Sequence, residues 1–256
     1  MAFYGIYREK NEAGKPESDR RILDMVGEKL GAKGKEVKFL PAEGLDAGDI
    51  LGAELTFSMA RSPEALNAIM AAEKKGVKCI NSTKSIALCF NREKVYAMMK
   101  ENSFPMPKIS VKSLPQIEWK GASLMLKRTD NHGKENDTFY IDSPKALERA
   151  KKILAKNNAK RAIVYDYIEG NTLKFYGVGK KVFFPGNEFL GNSTLAAECF
   201  RLASLIGLEV YGGDIVSAKD GKKYIVDIND WPSFSDVRDE ASSEIASYLL
   251  SRAKRK

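Results

Sequence analysis

The sequence predicts an α/β protein built from more than one lobe, and two patterns support this prediction. The first 80 residues alternate short apolar strands with helices in the order β-α-β-β-α-β, which is typical of a mainly parallel sheet. Near the C-terminus, two β-rich runs flank Asp220-Gly221, a pair that indicates a tight hairpin turn. With 256 residues, the chain can form one large domain or two or three joined lobes.

The elements of the first predicted lobe, residues 1–80, follow from apolar spacing and from capping residues. Apolar residues recur at helical spacing from Ile22 to Leu30. Ser62-Pro63 opens a second helix, because serine caps a first turn and proline fits its first position. The expected strands are Phe3–Tyr7, Val37–Leu40, Ala53–Phe57 and Val77–Ile80, and the expected helices run from about Ser18 and from Ser62 to Ala72.

Residues 81–256 form the second predicted region, with a central lobe at about 108–165 and a C-terminal lobe at about 166–256. The prolines in Phe104–Pro107 cannot continue a helix, so this segment is expected to be a connector. Helices are expected at Ser82–Cys89, Arg92–Lys100, Pro144–Lys156, Thr194–Ile206 and Val237–Arg252. Strands are expected at Leu124–Lys127, Thr138–Ile141, Ala162–Tyr167, Thr172–Val178 and Lys181–Phe184, followed by the hairpin.

The composition is that of a globular protein with an excess of positive charge. Hydrophobic residues make up 43% of the chain and charged residues 30%, and 42 Lys and Arg against 34 Asp and Glu give a net charge of +8. This surplus fits an anionic partner such as a polyphosphate or a nucleotide, and a solvated lysine-rich surface explains it equally well. A nucleic-acid partner is not expected, because the aromatic residues fall mostly inside strand patterns.

Several absences predict a soluble protein of the cytoplasm, which we expect to be a monomer or a simple homodimer. No apolar run approaches the ~20 residues of a membrane-spanning helix, so no membrane partner is expected. The N-terminal residues lack the apolar core of a signal peptide. The 3 cysteines form no CxxC pair, and an odd number suits a reducing compartment.

The hairpin carries the residues of a predicted metal site. A two-residue loop at Asp220-Gly221 would place Asp214 directly opposite Asp227, with Asn229 on the same face two residues further on. Two adjacent carboxylates repel unless a cation lies between them, and these oxygen ligands suit Mg²⁺ bound together with phosphates. Loss of the Asp227 charge should then leave the ligand-free protein at least as stable. The alternative is a solvent-exposed sheet edge, which is disfavoured because the apolar residues Ile215, Val226 and Ile228 line the opposite face.

Three basic positions are candidates for phosphate binding. Lys127 ends an otherwise apolar strand, and a lysine is costly to bury without an anion. The loop at 130–136 contains His132-Gly133-Lys134 and could fold over a triphosphate, although many polar hairpin loops contain glycine. Lys94 lies in the first turn of a helix, which disfavours a cation unless an anion is near.

The end of the strand Ala162–Tyr167 is a candidate for nucleotide base binding. The residues Tyr165, Asp166, Tyr167 and Ile168 could present backbone groups to adenine, and Glu169 could bind ribose hydroxyls. An ordinary strand end explains the same residues, and the residues alone favour that explanation.

Together these segments resemble the ATP-grasp superfamily over nearly the whole chain. That family has a small α/β lobe, a central lobe with a loop that closes over the nucleotide, a hinge and a metal-binding hairpin. The matching segments here are Phe3–Ile80, Leu124–Tyr167, YDYIEG at 165–170 and VDIND at 226–230. The resemblance implies an ATP-grasp fold, ATP and Mg²⁺ as cofactors, and catalysis mainly by positioning and electrostatics.

Within the superfamily, the chain looks most similar to inositol tris/tetrakisphosphate kinases. Their lysine-ending strand followed by His-Gly matches Lys127 and His132-Gly133, and their substrate lysine after the hinge matches Lys174. The resemblance implies catalytic roles for Lys127, His132 and Asp227. The VDIND segment is also similar to the Asp-Val-Asn segment of the diphosphoinositol kinases.

The sequence departs from the inositol kinases at two positions. Their second histidine falls at about Asp137, and a substrate lysine of the first lobe falls near Met59, where Arg61 is the nearest cation. The substrate-binding residues implied by the resemblance are His132, Lys174, Arg61, Arg20, Asn229 and Ser233.

These features predict a kinase that transfers the γ-phosphoryl group of ATP to a hydroxyl of a phosphate-rich small molecule, with an inositol polyphosphate as the first choice. The alternative is an ATP-grasp carboxylate–amine ligase, which proceeds through an acyl phosphate. Such ligases usually have glutamate where Asp227 stands. A non-catalytic nucleic-acid binder is the third hypothesis.

Overall fold

The computed structural model describes residues 2–10, 16–130, 137–186 and 193–254. The strands are β1 (Phe3–Ile6), β2 (Val37–Leu40), β3 (Leu55–Ser58), β4 (Cys79–Ile80), β5 (Ile109–Ser113), β6 (Leu124–Arg128), β7 (Thr138–Ile141), β8 (Arg161–Asp166), β9 (Gly170–Val178), β10 (Lys181–Phe183), β11 (Val210–Ala218) and β12 (Lys223–Asp230). The helices are α1 (Pro16–Gly31), α2 (Ala47–Ile50), α3 (Pro63–Glu73), α4 (Thr83–Phe90), α5 (Arg92–Glu101), α6 (Pro144–Lys156), α7 (Ser193–Ile206) and α8 (Arg238–Ala253), with a short 3-10 helix at Leu114–Gln116.

The chain divides into two compact units, each made of separate stretches of sequence. Unit 1 consists of Met1–Ala87, Lys174–Gly213 and Ile228–Lys256. Unit 2 consists of Leu88–Leu173 and Asp214–Asp227. Because both units are discontinuous, they do not correspond to single predicted lobes, and the lobe boundaries near residues 80 and 165 stay a prediction.

Unit 1 contains the predicted parallel sheet. Its strand order is β2-β1-β3-β4, and every neighbouring pair is parallel, which confirms the mainly parallel sheet. Ser62 caps α3 as expected, because its side chain accepts the N–H of Ala65. One face of the sheet packs against α1 and α8 through a core that includes Phe3, Leu23 and Trp231.

Unit 2 contains an antiparallel sheet with the order β5-β8-β6-β7. Helix α6 covers it, and their common core includes Leu126, Leu147 and Leu154. Strand β6 lies inside this sheet, between β8 and β7. The last residues of β6 are therefore held in place from both sides.

A third sheet has the order β10-β9-β11-β12. Strands β9 and β10 are antiparallel, with Val178 opposite Lys181. Strands β9, β11 and β12 each continue from one unit into the other.

Several elements have the predicted bounds, and two short elements were not predicted. Strand β7 and helix α6 have the predicted bounds. Helix α2 and strand β5 were not predicted, because four residues capped by Asp46 are too few to show helical periodicity, and β5 directly follows a proline-rich connector. No described helix is long and apolar enough to cross a membrane.

Candidate active site

Lys127 is buried near the end of β6 although its side chain carries a charge. The side chain is 6% exposed, and its Nζ donates to the carbonyl oxygen of Val226 at 2.8 Å. The same Nζ lies 3.7 Å from Oδ2 of Asp227. A buried cation requires such partners. The predicted burial of this lysine is therefore observed, and its contact with phosphate stays a prediction.

Arg92, and not Lys94, is the helix cation that lies beside Asp227. Arg92 opens α5 and belongs to its buried face, which continues at Val95, Tyr96 and Met99. The side chain of Lys94 is exposed, because two residues along an α-helix correspond to about 200° of rotation. Lys94 contributes only its backbone N–H to the cap, which it donates to Oδ1 of Asn91 at 3.0 Å. Phosphate binding by the Lys94 side chain stays a prediction, and Arg92 is a further cation of the same helix that the sequence did not single out.

Arg92 forms ion pairs through its guanidinium with two carboxylates in unit 2. Its guanidinium lies 2.8 Å from Oδ2 of Asp137 and 3.6 Å from Oδ2 of Asp227, and its side chain is 6% exposed. Burial lowers the pKa of Arg92, while the charges of Asp227 and Asp137 raise it, with a net rise. Its Nε is buried and has no hydrogen-bond partner among the described residues. This arginine therefore retains one donor for a further acceptor.

Asp214 and Asp227 act on a common buried neighbour. The hydroxyl of Tyr96 donates to the Val226 carbonyl at 2.5 Å. Burial raises the pKa of Tyr96 most, and the charges of Asp227 and Asp214 raise it further. Burial also raises the pKa of Tyr165 to about 12, although Lys127 opposes the shift. Both carboxylates thus act electrostatically on Tyr96.

The hairpin turn differs from the predicted two-residue loop. The N–H of Ala218 donates to the Lys222 carbonyl at 2.8 Å, and the N–H of Gly221 donates to the Ala218 carbonyl at 2.9 Å. Gly221 has a φ of +83°, so a three-residue loop closes with a glycine bulge. The predicted register is therefore wrong by one residue at the turn.

The hydrogen bonds at the turn do not show which residues pair further along the two strands. The direct opposition of Asp214 and Asp227 therefore stays a prediction. Asn229 lies two residues beyond Asp227 on β12, in the part of the strand that belongs to unit 1. Its role as a metal ligand also stays a prediction.

The segment predicted to bind adenine follows the end of β8. Tyr165 is buried, Ile168 is half-buried, and Asp166 and Tyr167 are exposed. The Tyr167 ring packs edge-on against Tyr140 with 4.8 Å between their centroids. Two half-exposed aromatic rings offer a surface on which a flat base can pack. Adenine binding by this segment stays a prediction.

Glu169, the predicted ribose ligand, already has a partner. Its carboxylate pairs with Nζ of Lys219, and both side chains are largely exposed. Next to it, a Cβ on Gly170 would lie 2.1 Å from the carbonyl oxygen of Ser217, so only glycine permits this close approach of β9 to β11.

The remaining predicted substrate residues belong to unit 1. Arg61 lies 3.4 Å from Oδ1 of Asp230, and both side chains are buried. Arg20 is exposed, with its guanidinium 4.4 Å from the Tyr7 ring centroid and 3.6 Å from the Asp24 carboxylate. Lys174 is exposed on β9, and Ser233 is half-buried after β12. His132 and Gly133, together with the rest of 131–136, lie outside the described residues.

Sequence reasoning missed Arg92, Tyr96 and Asp137 as members of this cluster. A usable signal existed for Arg92, because it shares helical spacing with the apolar residues Val95 and Met99. A charged residue on the apolar face of a helix indicates a buried partner. Asp137 gave no such signal, since it stands in a polar loop.

The cluster of Lys127, Arg92, Asp137, Asp214 and Asp227 contains charges of both signs, and its binding of a divalent cation together with a polyanion stays a prediction. Its two cations and three carboxylates leave a deficit of positive charge that a metal ion would correct. Carboxylate oxygens are the ligands that Mg²⁺ prefers. The unpartnered Nε of Arg92 and the ammonium of Lys127 are donors suited to phosphate oxygens.

The chain is similar over its whole length to solved structures of ATP-grasp enzymes. It superposes on D-alanine–D-alanine ligase from Bacillus anthracis complexed with ATP with a TM-score of 0.75 at 10% identity, covering 100% of this chain and 98% of that chain. The chain has the ATP-grasp fold. A scan of protein-family models and a search of curated proteins gave no match.

Two further ATP-grasp structures show the same similarity. D-cycloserine synthetase DcsG has a TM-score of 0.74 at 13% identity, covering 99% of this chain and 100% of that chain. The ATP-grasp ligase PsnB, complexed with precursor peptide PsnA2 and AMPPNP, has a TM-score of 0.69 at 14% identity, covering 99% and 97%. The predicted ATP-grasp fold is confirmed. Particular closeness to inositol kinases stays a prediction.

Proposed function

We propose that this protein is an ATP- and Mg²⁺-dependent ligase that activates a carboxylate as an acyl phosphate and joins it to an amine. The observation that carries the proposal is the convergence of the buried Lys127 and Arg92 on Asp227 in an ATP-grasp fold. Ligases and a synthetase of the same fold, described above, support this reaction class.

The side chains of unit 2 have separate roles in this proposal. Lys127 and Arg92 bind phosphate oxygens, because they are buried cations with donors that point into one cluster. Asp214 and Asp227, with Asn229 as the predicted third ligand, hold Mg²⁺. The bound ion neutralises charge on the phosphates during transfer. Asp137 holds Arg92 in position through its 2.8 Å ion pair.

The second candidate function is the kinase that the VDIND segment predicts, acting on an inositol polyphosphate. A polyphosphate requires several cations that are not already neutralised. In unit 1, Arg61 pairs with Asp230 and Arg20 pairs with Asp24, so two of the expected phosphate-binding residues have carboxylate partners. Because carboxylates lie beside these arginines, the surroundings are less suited to a polyphosphate, and this favours the ligase over the polyphosphate kinase.

The two reactions differ in their products, which gives a direct test. A ligase releases ADP and free phosphate in equal amounts, whereas a kinase releases ADP and transfers the phosphate. We expect pairs of a carboxylate and an amine to stimulate both products in parallel. ADP release with an alcohol and without free phosphate would instead establish the kinase.

Matched variants make the assay specific for the proposed site. Arg92→Met should remove the stimulated activity, because it deletes a buried donor of the cluster. Lys100→Met alters an exposed lysine of the same helix and should leave activity unchanged. Stimulated activity that survives Arg92→Met would refute this location for the nucleotide.

A further inference from the structure

Charged side chains of unit 1 form a second buried cluster at the carboxyl ends of two parallel strands. Arg8 and Glu9 follow β1, and Arg61 follows β3. In the order β2-β1-β3-β4, the chain leaves β1 for β2 on one side and β3 for β4 on the other. The carboxyl ends of β1 and β3 therefore flank the point where the strand order reverses. In open α/β sheets, ligands bind at this point.

Glu9 fixes the two loops relative to each other. Its buried carboxylate accepts the backbone N–H of Ser62 at 2.7 Å and that of Arg61 at 3.1 Å. Because the loop after β1 thus caps the loop after β3, the side chains of Arg8 and Arg61 start from a rigid frame. Preorganised side chains bind a ligand with a smaller loss of entropy.

The cluster contains both signs of charge in matched numbers. Arg8 Nε lies 2.7 Å from Oδ2 of Asp19, and these side chains are 10% and 14% exposed. Arg61 lies 3.4 Å from Oδ1 of Asp230, and these are 9% and 0% exposed. Burial raises the pKa of Asp19, and the charges of both arginines oppose the shift. The four side chains therefore act on one another electrostatically.

Asp230 has one carboxylate oxygen that is not satisfied. Its Oδ1 has a 3.4 Å contact with Arg61, which is long for a charge-assisted hydrogen bond. Its Oδ2 is buried and has no hydrogen-bond partner among the described residues. A buried carboxylate oxygen without a donor is costly. A ligand that supplies N–H donors would remove this cost.

The backbone directly after Asp230 is strained. Trp231 and Phe234 have φ values of +30° and +50°, in the left-handed region that residues other than glycine rarely adopt. Such residues cluster at ligand-binding sites, where packing holds them in place. Trp231 is held by a bond from its Nε1 to the Ile80 carbonyl at 2.9 Å, and its own carbonyl accepts from Arg8 at 3.2 Å.

We propose that Arg8, Asp19, Arg61 and Asp230 bind a free amino acid as its zwitterion. The two guanidinium groups face the α-carboxylate, and the two aspartates face the α-ammonium. A simple anion would gain from the arginines but would be repelled by the aspartates, so the balanced cluster selects a ligand with both charges. The proposal rests on the proposed function only in that the amino acid would be one of the two substrates joined.

Calorimetry of the whole protein tests the site without requiring turnover. The probes are the twenty standard L-amino acids and D-alanine, each titrated with and without AMPPNP and Mg²⁺. We expect at least one amino acid to bind. Its N-acetyl derivative, which lacks the ammonium, and its amide, which lacks the carboxylate, should bind at least about tenfold weaker, which corresponds to loss of a single charged contact. Inorganic phosphate should not compete.

Paired variants locate the binding. Arg61→Met and Asp19→Asn should each weaken binding at least about tenfold, whereas the matched exposed variants Arg201→Met and Asp239→Asn should not change it. If Arg61→Met lowers the melting temperature sharply, its effect on binding is not informative. Asp19→Asn and the ligand derivatives then decide whether the cluster binds the amino acid.

The outcomes separate the amino-acid site from the ligase. Failure of every amino acid to bind, or equal binding of the N-acetyl form, overturns the zwitterion site. Amino-acid binding without release of ADP and phosphate, when the bound amino acid is paired with each candidate carboxylate and amine, refutes the ligase and leaves the site intact.

Discussion

The buried charge clusters of the two units differ in their balance of positive and negative charge. In unit 2, Lys127 and Arg92 approach Asp227 from two elements, and each also has a 2.8 Å contact with another acceptor. In unit 1, Arg61 lies 3.4 Å from Asp230 and Arg8 lies 2.7 Å from Asp19, and one oxygen of Asp230 has no hydrogen-bond partner among the described residues. The first cluster has surplus carboxylates and suits a metal ion with a polyanion. The second is balanced and suits a ligand that carries both charges.

Asp227→Asn tests the unit 2 cluster with the largest expected effect. Activity should fall at least about 100-fold, because the charge of a metal ligand is lost. The sequence predicted that this change would leave the ligand-free protein at least as stable. The ion pairs with Lys127 and Arg92 reverse that sign, so we expect a loss of about 1–2 kcal/mol in the free energy of unfolding.

A thermal melt of ligand-free Asp227→Asn beside an activity assay measures both effects. A loss of this size lowers the melting temperature by roughly 2–8 °C for a chain of this length. Unchanged activity would mean that the metal lies elsewhere. A higher melting temperature would mean that repulsion from Asp214 outweighs the two ion pairs.

Lys127→Met should weaken nucleotide binding by about tenfold to a hundredfold, because one charge-assisted contact is worth about 1.5–3 kcal/mol. The fold should survive, since Tyr96 still donates to the Val226 carbonyl and Arg92 still accompanies Asp227. Calorimetry with AMPPNP measures the affinity, and Lys100→Met is the matched control. Equal affinity in Lys127→Met and the control would exclude Lys127 from phosphate binding.

Asp230→Asn examines the unit 1 cluster and should have a smaller effect on stability than Asp227→Asn. The substitution removes the charge from the single 3.4 Å side-chain contact with Arg61 and also replaces a buried carboxylate oxygen that lacks a donor, so the two effects oppose each other. We expect a change below about 1 kcal/mol in the free energy of unfolding, measured by urea denaturation. A loss larger than that of Asp227→Asn would show that Arg61 and Asp230 form a structural ion pair and would contradict the comparison.

Elements with long periodicity could be predicted from sequence, whereas contacts distant in sequence could not. Apolar spacing located α6, and the end of an apolar strand located the buried Lys127. Arg92 was missed because the charges near the start of α5 were weighed without the helix face on which each residue lies. The hairpin loop was predicted one residue too short, because Asp-Gly fits both a two-residue turn and a glycine bulge. The pairing of Arg61 with Asp230 spans the chain and leaves no local pattern.

The smallest expected effect is the chemical labelling of the cysteines. Their reactivity reports how closely the core of each unit is packed. Cys79 and Cys199 lie in unit 1 and Cys89 in unit 2, and all three are buried free thiols. Burial raises the pKa of Cys79 and of Cys199 to about 12, so at pH 8 roughly one molecule in ten thousand carries the thiolate at either position. Because the thiolate is the reactive form, a disulfide reagent should label the native protein negligibly at pH 8. All three thiols should react after denaturation in guanidinium, which is the control for reagent activity. Rapid labelling of one native thiol at pH 8 would show that the core of its unit opens to solvent more readily than the packing indicates.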